Sequence, residues 1–543
     1  MVTPMQPLGA TMEQALKAER RGQHQQALAL TLEVLLRLDQ VAADGSERRS
    51  LPDGQPAPGL ADPLELHAMA ALTRLGERQQ WQWLEADGQV FELADGSLVR
   101  VRHDHDPGSR ATIDPRAWST IVPAAQVGVR ELPLRNVTGG DGVPFVVSRD
   151  TGRPAMGLAV LPFEREREVL PVTLLARVLR DGDGPTELRL RWQSTLESVQ
   201  WNPDSTGRAR PVAADFSAPL EVFASAGGFR APAIMGLLRP DRFPDSIELF
   251  RMTPENPDRV PVVLVHGLAS QPRTWRSVVN ELQRDPVIRQ RCEFYYFAYP
   301  TSQPLPYAAS ELRQALAEME QTALAGTGDI LLVGHSLGGL MSKLQVIDSG
   351  DALWDLYFNA PPEEIGRLGP LSERLTSWLR VNPAPSVGRV VFIATPHGGS
   401  EIADSWIGAL GRRLAGVPRG VITTTASLLM LDVGVLTDNG RRVAYRFPTV
   451  VEGLSVQSPF LRALHEIPVA PGIATHTIYG NRHAGDPTRL CTDGVVRCQS
   501  ARLAGVDSER MVMSGHNAHE HPEAIAELAR IIHLHLKNGA GRE

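Results

Sequence analysis

Apolar positions recur at helical spacing from Thr11 to Gln40. Ala15, Leu16 and Ala18 lead to a break at Gly22, and Ala27, Leu28, Leu30, Leu32, Val34, Leu35 and Leu38 form a second stripe. The pattern predicts a helical hairpin. One hairpin cannot bury its own face, and no second copy follows at a fixed period, so it is not a repeat array. Ala43 to Pro63 is rich in Gly, Pro and Asp and reads as a loop, with a further helix over 63–75. From Trp81 to about Ser225 the period shortens to two. VFELADGSLVRVRH is two alternating runs around Asp95-Gly96, a hairpin signal, followed by VPFVVS, LPVTLLARVL and ELRLRWQST. From about Ser246 strands alternate with helices, which predicts a mostly parallel sheet flanked by helices, an α/β fold. The strands are expected over 260–267, 293–300, 329–335, 389–395, 475–481 and 509–514, and the helices near 275–283, 308–325, 337–348 and 522–537. Residues 351–387 and 400–470 are too long for simple connections and read as insertions. The second holds WIGALGRRLAG and ITTTASLLMLDVGVL, apolar enough to pack over a site as a cap or lid. The expected organisation is a helical region over 1–80, a β-rich region over 81–245 and an α/β domain over 246–543.

Composition narrows the partners. A net charge of -7 over 543 residues leaves no basic footprint for nucleic acid. The three cysteines, Cys292, Cys491 and Cys498, are too few for a disulfide scaffold and lack zinc-type spacing. Cys491 and Cys498 bracket a short loop and are expected either to pair, if the protein is exported, or to remain two thiols. No apolar run approaches a membrane span. MVTPMQPLGATMEQ has no basic n-region and no apolar core, so no signal peptide is visible in it.

The chemistry gathers around DILLVGHSLGGLMS, residues 329–342. An aliphatic run enters Gly334-His335-Ser336-Leu337-Gly338 and a helical pattern leaves it. A serine on so sharp a strand-to-helix turn is strained, and only small residues fit two positions either side of it. Ser336 is therefore the expected nucleophile. A hydroxyl needs a base, and the partners in this arrangement follow in the order serine, acid, histidine. Asp493, in Cys491-Thr492-Asp493-Gly494, is the expected acid, with Asp486 as its rival. His516, the first side chain beyond Ser514-Gly515, is the expected base. His519 is the rival, expected to point away or to cap the closing helix. The oxyanion hole should use the N–H of Leu337 and that of Leu268, in His266-Gly267-Leu268-Ala269 after the first strand. The histidines of this loop lack an HExxH pattern, and His103 and His105 read as a solvated charged loop, so no metal site is expected.

VLVHGL, GHSLGG, IATPHGGS, TDGVV and GHNAHEHP, in that order, resemble the α/β-hydrolase superfamily, specifically its bacterial lipase/esterase-like members. The resemblance covers about residues 246–543. It implies an α/β-hydrolase fold and carboxylic-ester hydrolysis without metal or organic cofactor. The helical hairpin resembles one tetratricopeptide-like unit. ADFSAPLEVF, WNP and LLRPD resemble more loosely a bacterial subgroup in which a helical and strand-rich part precedes the hydrolase. Members of that subgroup often carry a lipoprotein signal, which implies the cell envelope, whereas no such signal and no cysteine stand near the start here. The expected partner is a small-molecule or lipid ester, the latter presented at a membrane surface. An acyltransferase using the same residues and a non-catalytic binding module of the same fold are the alternatives.

Overall fold

The computed structural model describes residues 5–43, 63–79, 81, 88–129, 132–154, 165–180, 185–201, 209–225, 247–268, 270, 272–301, 303–322, 330–365, 369–401, 434–445, 450–483 and 490–539. The chain falls into two compact units, 1–151 with 167–223, and 152–166 with 224–543.

In the first unit, helices α1 (Met5–Arg20), α2 (His24–Ala43) and α3 (Pro63–Arg78) pack on a six-stranded sheet. Its strands are β1 (Gln89–Glu92), β2 (Leu98–His103), β3 (Thr120–Pro123), β4 (Val143–Pro154), β5 (Arg165–Leu179) and β6 (Thr186–Ser194), in the order β1-β2-β6-β5-β4-β3. The β1–β2 turn closes at Gly96, whose φ of +81° is one that glycine adopts without strain. Alternation sets the two faces. Val99, Val101, Leu188, Leu190 and Trp192 join one core with Ala27, Leu28, Leu32, Met69 and Leu72 of the helices. The helical region expected over 1–80 and the strands that follow are therefore one packed unit, because neither apolar face is buried without the other. Trp192 lies fully buried at its centre, edge-on to Trp81 and Phe145, with ring centroids 5.9 and 5.2 Å away.

The second unit holds a seven-stranded sheet. Its strands are β7 (Glu248–Arg251), β8 (Val260–Val265), β9 (Cys292–Ala298), β10 (Ile330–His335), β11 (Val387–Ile393), β12 (Ala474–Gly480) and β13 (Ser508–Val512), in the order β7-β9-β8-β10-β11-β12-β13. All pairings are parallel except that of β7 with β9. β7, too short to carry a periodic signal, is an edge strand that the apolar pattern did not reveal. Central β10 is buried along its length, as expected of a parallel strand covered on both faces. Helix α4 (Ser217–Ser225) precedes β7, and helices α5 (Arg276–Leu282) and α6 (Pro286–Arg291) lie between β8 and β9. Helix α7 (Leu305–Thr322) and helix α8 (Leu337–Lys343) pack against β10 through one continuous apolar cluster. Helix α8 stops short of the expected residue 348, because the winding tightens to three-residue turns at Gln345 N–H→Ser342 O and Val346 N–H→Lys343 O.

The expected insertion at 351–387 contains helix α9 (Pro370–Leu379). Of the expected cap at 400–470, residues 402–433 and 446–449 lie outside the described residues. The remainder forms helices α10 (Asp438–Tyr445) and α11 (Pro459–Glu466), which place Ala444, Phe460, Leu461 and Leu464 in the main cluster. Helix α12 (Pro522–Gly539) closes the unit. No described helix is long and apolar enough to cross a membrane.

Trp192 tests the shared core of the first unit. Trp192→Ala removes its largest fully buried side chain and should destabilise the unit by about 3–5 kcal/mol. Denaturant unfolding monitored by far-ultraviolet circular dichroism should show an earlier transition. An unchanged midpoint would mean that helices and sheet do not depend on this core.

Candidate active site

Ser336 stands at the junction of β10 and α8. Its backbone φ of 55° and ψ of -122° fall where residues with side chains are rarely found, a strain of order 1–3 kcal/mol. Hydrogen bonds impose it. Ser336 N–H donates to Ile393 O, and Gly339 N–H donates to Ser336 O, both at 2.9 Å. Close packing then allows no relaxation. A Cβ on Gly338 would stand 2.4 Å from Val265 O and 2.5 Å from His266 O, and one on Gly267 would stand 2.9 Å from Ser336 Cβ. Glycine alone permits backbone to approach this closely.

The raised hydroxyl meets an imidazole. Ser336 Oγ is 2.9 Å from His516 Nε2, and His516 Nδ1 is 2.8 Å from Asp493 Oδ2. A carboxylate only accepts, so the ring proton sits on Nδ1 and the Nε2 lone pair faces the hydroxyl. The Asp493 side chain is 2% exposed and that of His516 21%, so the acid is shielded while the ring edge reaches solvent. The second oxygen of Asp493, Oδ1, accepts the N–H groups of Val495 and Val496, each at 2.7 Å. Its loop is tight. Cys491 and Cys498 are joined by a disulfide with Cα atoms 5.5 Å apart, and Cys498 N–H donates to Cys491 O at 3.1 Å. Gly494, with φ of +98°, makes the bend inside it. Asp486 lies outside the described residues.

His519 does not point away or cap the closing helix, as its place near Pro522 suggested. The short 3-10 turn Ala518–Glu520 turns its ring inward, where it is 2% exposed. It lies 4.0 Å from the His335 ring and 5.1 Å from the Trp275 ring, centroid to centroid. His521 instead accepts the Glu523 N–H at the start of α12.

His335, the residue before the serine, has a role that spacing did not suggest. Its Nε2–H donates to the backbone oxygen of His516 at 2.9 Å, tying the elbow to the loop that carries the imidazole. Burial is the main reason its pKa lies well below the ordinary histidine value, with His519 and His516 adding to the effect. Burial likewise holds His519 down at about 3 and His266 at about 4. The His266 backbone oxygen accepts the Tyr299 hydroxyl at 2.8 Å, which fixes the turn after β8. Leu268 lies in that turn, and Leu337 opens α8. Neither N–H has an acceptor among the described residues. Among those residues no group of three or more His, Cys, Asp or Glu is arranged to hold a metal ion. His103 and His105 stack on each other, with centroids 5.4 Å apart.

Residues 262–528 match the model of the alpha/beta hydrolase family, and this part of the chain has the α/β-hydrolase fold. No curated protein matches the chain. Among solved structures, the mature form of the Bacillus licheniformis lipase BlEst2 is 18% identical, with 52% of this chain and 97% of that one covered, at a TM-score of 0.30. A Staphylococcus hyicus lipase is 17% identical, covering 53% and 98%, at 0.31. A Paleococcus ferrophilus monoacylglycerol lipase is 18% identical, covering 54% and 99%, at 0.29.

The buried neutral rings predict an acid sensitivity. Each has a folded pKa below the ordinary value of 6.5. Below that value the unfolded chain binds protons that the folded chain refuses, so stability rises with pH through the interval. The contribution is complete above ~6.5 and is lost as pH falls toward about 3 for His519. The unfolding midpoint of the second unit should therefore drop on acidification from neutral. His519→Phe, which fills the space without titrating, should make that drop shallower. An identical slope in variant and parent would remove His519 from the explanation.

Proposed function

We propose that this chain is a serine hydrolase that cleaves carboxylic esters through an acyl-enzyme. The observation that carries the proposal is the unbroken line from Ser336 through His516 to Asp493, with the serine on a strained, glycine-packed turn. Ser336 Oγ attacks the ester carbonyl carbon while its proton passes to His516 Nε2. The carbonyl oxygen becomes an oxyanion that the N–H groups of Leu268 and Leu337 receive. The intermediate collapses, the bond to the alcohol oxygen breaks, and His516 gives its proton to that oxygen. Water then attacks the acyl-serine, loses a proton to His516, and the acid departs as Ser336 regains its hydrogen. Asp493 keeps the ring oriented and balances the imidazolium formed in each half. His335 acts through His516 as a positioning residue.

The substrate class proposed is an ester with an apolar acyl part, including lipid esters. The support is compositional: WIGALGRRLAG and ITTTASLLMLDVGVL lie in the insertion after β11, where apolar side chains can meet a hydrocarbon chain.

Ser336→Ala should fold normally and lose several powers of ten in turnover of a short-chain p-nitrophenyl ester, and His516→Ala should lose as much. The double variant should be hardly worse than either single one, since the two residues act as a unit. A fluorophosphonate probe should label Ser336 in the parent only. Near-normal hydrolysis by folded Ser336→Ala would overturn the assignment.

The disulfide makes a second prediction. Replacing both Cys491 and Cys498 with serine should lower kcat with little change in KM, because the carboxylate loosens while the acyl site stays. Intact-mass measurement with and without reductant checks the bond itself. Unchanged kcat in the double-serine variant would show that the loop holds its shape without the covalent link.

A further inference from the structure

The second face of the six-stranded sheet is covered in the middle of β5, where Thr173 and Leu175 are buried, but across β1, β2, β6 and the adjoining end of β5 its side chains form an ordered cationic array. Outward positions alternate with the core positions Val99, Val101, Leu188, Leu190 and Trp192. Register then fixes three rungs. Val90, Arg100, Glu187 and Leu179 lie side by side across β1, β2, β6 and β5. Next come Arg102, Arg189 and Arg177, three arginines in one lateral row. On the third, Arg191 lies beside Leu175 and reaches Asp104 at 3.6 Å. Strand spacing holds neighbours in a row about 4.8 Å apart. Like charges directly opposite on a sheet destabilise it, and internal compensation here is thin. Glu187 is 3.8 Å from Arg102 and 2.5 Å from Arg189. Arg177 has no acceptor among the described residues, and the Nε atoms of Arg100 and Arg102 are without partners. Along β1, β2, β6 and the adjoining end of β5, Glu187, Asp104 and Glu92 are the acids on this face among the described residues, against Arg100, Arg102, Arg177, Arg189 and Arg191, in a chain whose net charge is -7. The arginine side chains are still accessible, at 35% for Arg102 and 42% for Arg189.

We infer that this face is a docking surface for an anionic phospholipid bilayer, with the Arg102–Arg189–Arg177 row gripping lipid phosphates. Guanidinium forks suit phosphate oxygens and are less strongly hydrated than ammonium groups. The apolar side chains among them are aliphatic: Val90 and Leu98 are 42% and 48% exposed, with half-buried Leu179 beside Glu187. That mixture suits the boundary between headgroups and acyl chains. Single-stranded nucleic acid on a sheet face requires aromatic platforms. Here the aromatic residues of these strands, Phe91 and Trp192, belong to the core side.

Co-sedimentation of the full chain with vesicles tests the inference. Binding should be strong to equal parts phosphatidylglycerol and phosphatidylcholine, absent with phosphatidylcholine alone, and lost in high salt. The triple variant Arg102→Gln, Arg177→Gln, Arg189→Gln should lose roughly a hundredfold in partitioning, at about fivefold for each charge. Glu187→Gln removes the acid from among the arginines and should bind severalfold more tightly, a gain that misfolding cannot imitate. The inference fails if the parent ignores anionic vesicles, if it binds both vesicle types equally, or if Glu187→Gln shows no gain. It also fails if a single-stranded oligonucleotide is retained more strongly than the vesicles. Vesicle binding is read without any ester, so its failure is separate from failure of the proposed hydrolysis.

Discussion

Everything at the candidate site depends on one forced turn. The chain leaves β10 and enters α8 within a single residue, and that residue is Ser336 with positive φ. The strain persists because its surroundings over-determine it. Hydrogen bonds to Ile393 and from Gly339 tie both sides of the residue, while Gly338 presses on Val265 and His266. The outcome is a hydroxyl raised from the carboxyl edge of a rigid parallel sheet. Glycine serves here by what it leaves out, since any added Cβ would meet backbone atoms that cannot move.

Two further elements must arrive at that hydroxyl from distant parts of the chain, and each is held by different physics. The carboxylate loop is held covalently and by N–H donors: a disulfide closes it, and Val495 and Val496 orient Asp493. The imidazole loop is held by packing and by a hydrogen bond to its backbone. His335 reaches across to the His516 carbonyl, and His519 fills the space between His335 and Trp275. These supporting rings are neutral because they are buried. Their neutrality suits a proposed mechanism in which His516 itself must become a cation, since a second positive ring beside it would oppose that step.

The first unit shows the same economy in a different form. One face of its sheet and three helices need each other to be dry. The other face carries a row of arginines that the fold neutralises only in part. Alternation along a strand settles which side chains share a face, and strand order settles which of them stand shoulder to shoulder. A charged row that is costly by itself is thereby a specific feature of the surface.

Much of the α/β part was legible in the chain because its signals are local. Aliphatic runs, their spacing and the small residues around Ser336 mark strands, helices and elbow within a few residues of one another. Asp493 and His516 were also within reach, since chain order and loop position limit where partners can lie. The sequence by itself thus determined the element types of the α/β part, the elbow and a short list of candidates for the proposed acid and base. Only the tertiary structure decided the rest. Edge strand β7 is too short for a period to show. His519 was misread because proximity to Pro522 along the chain suggested a cap, whereas burial against His335 and Trp275 decided its direction. The contact between His335 and His516 spans 181 residues, and the arginine row joins three strands through pairings that no local pattern encodes. Local periodicity reports what one segment can become; which segments then meet is settled only when the whole apolar surface is buried at once.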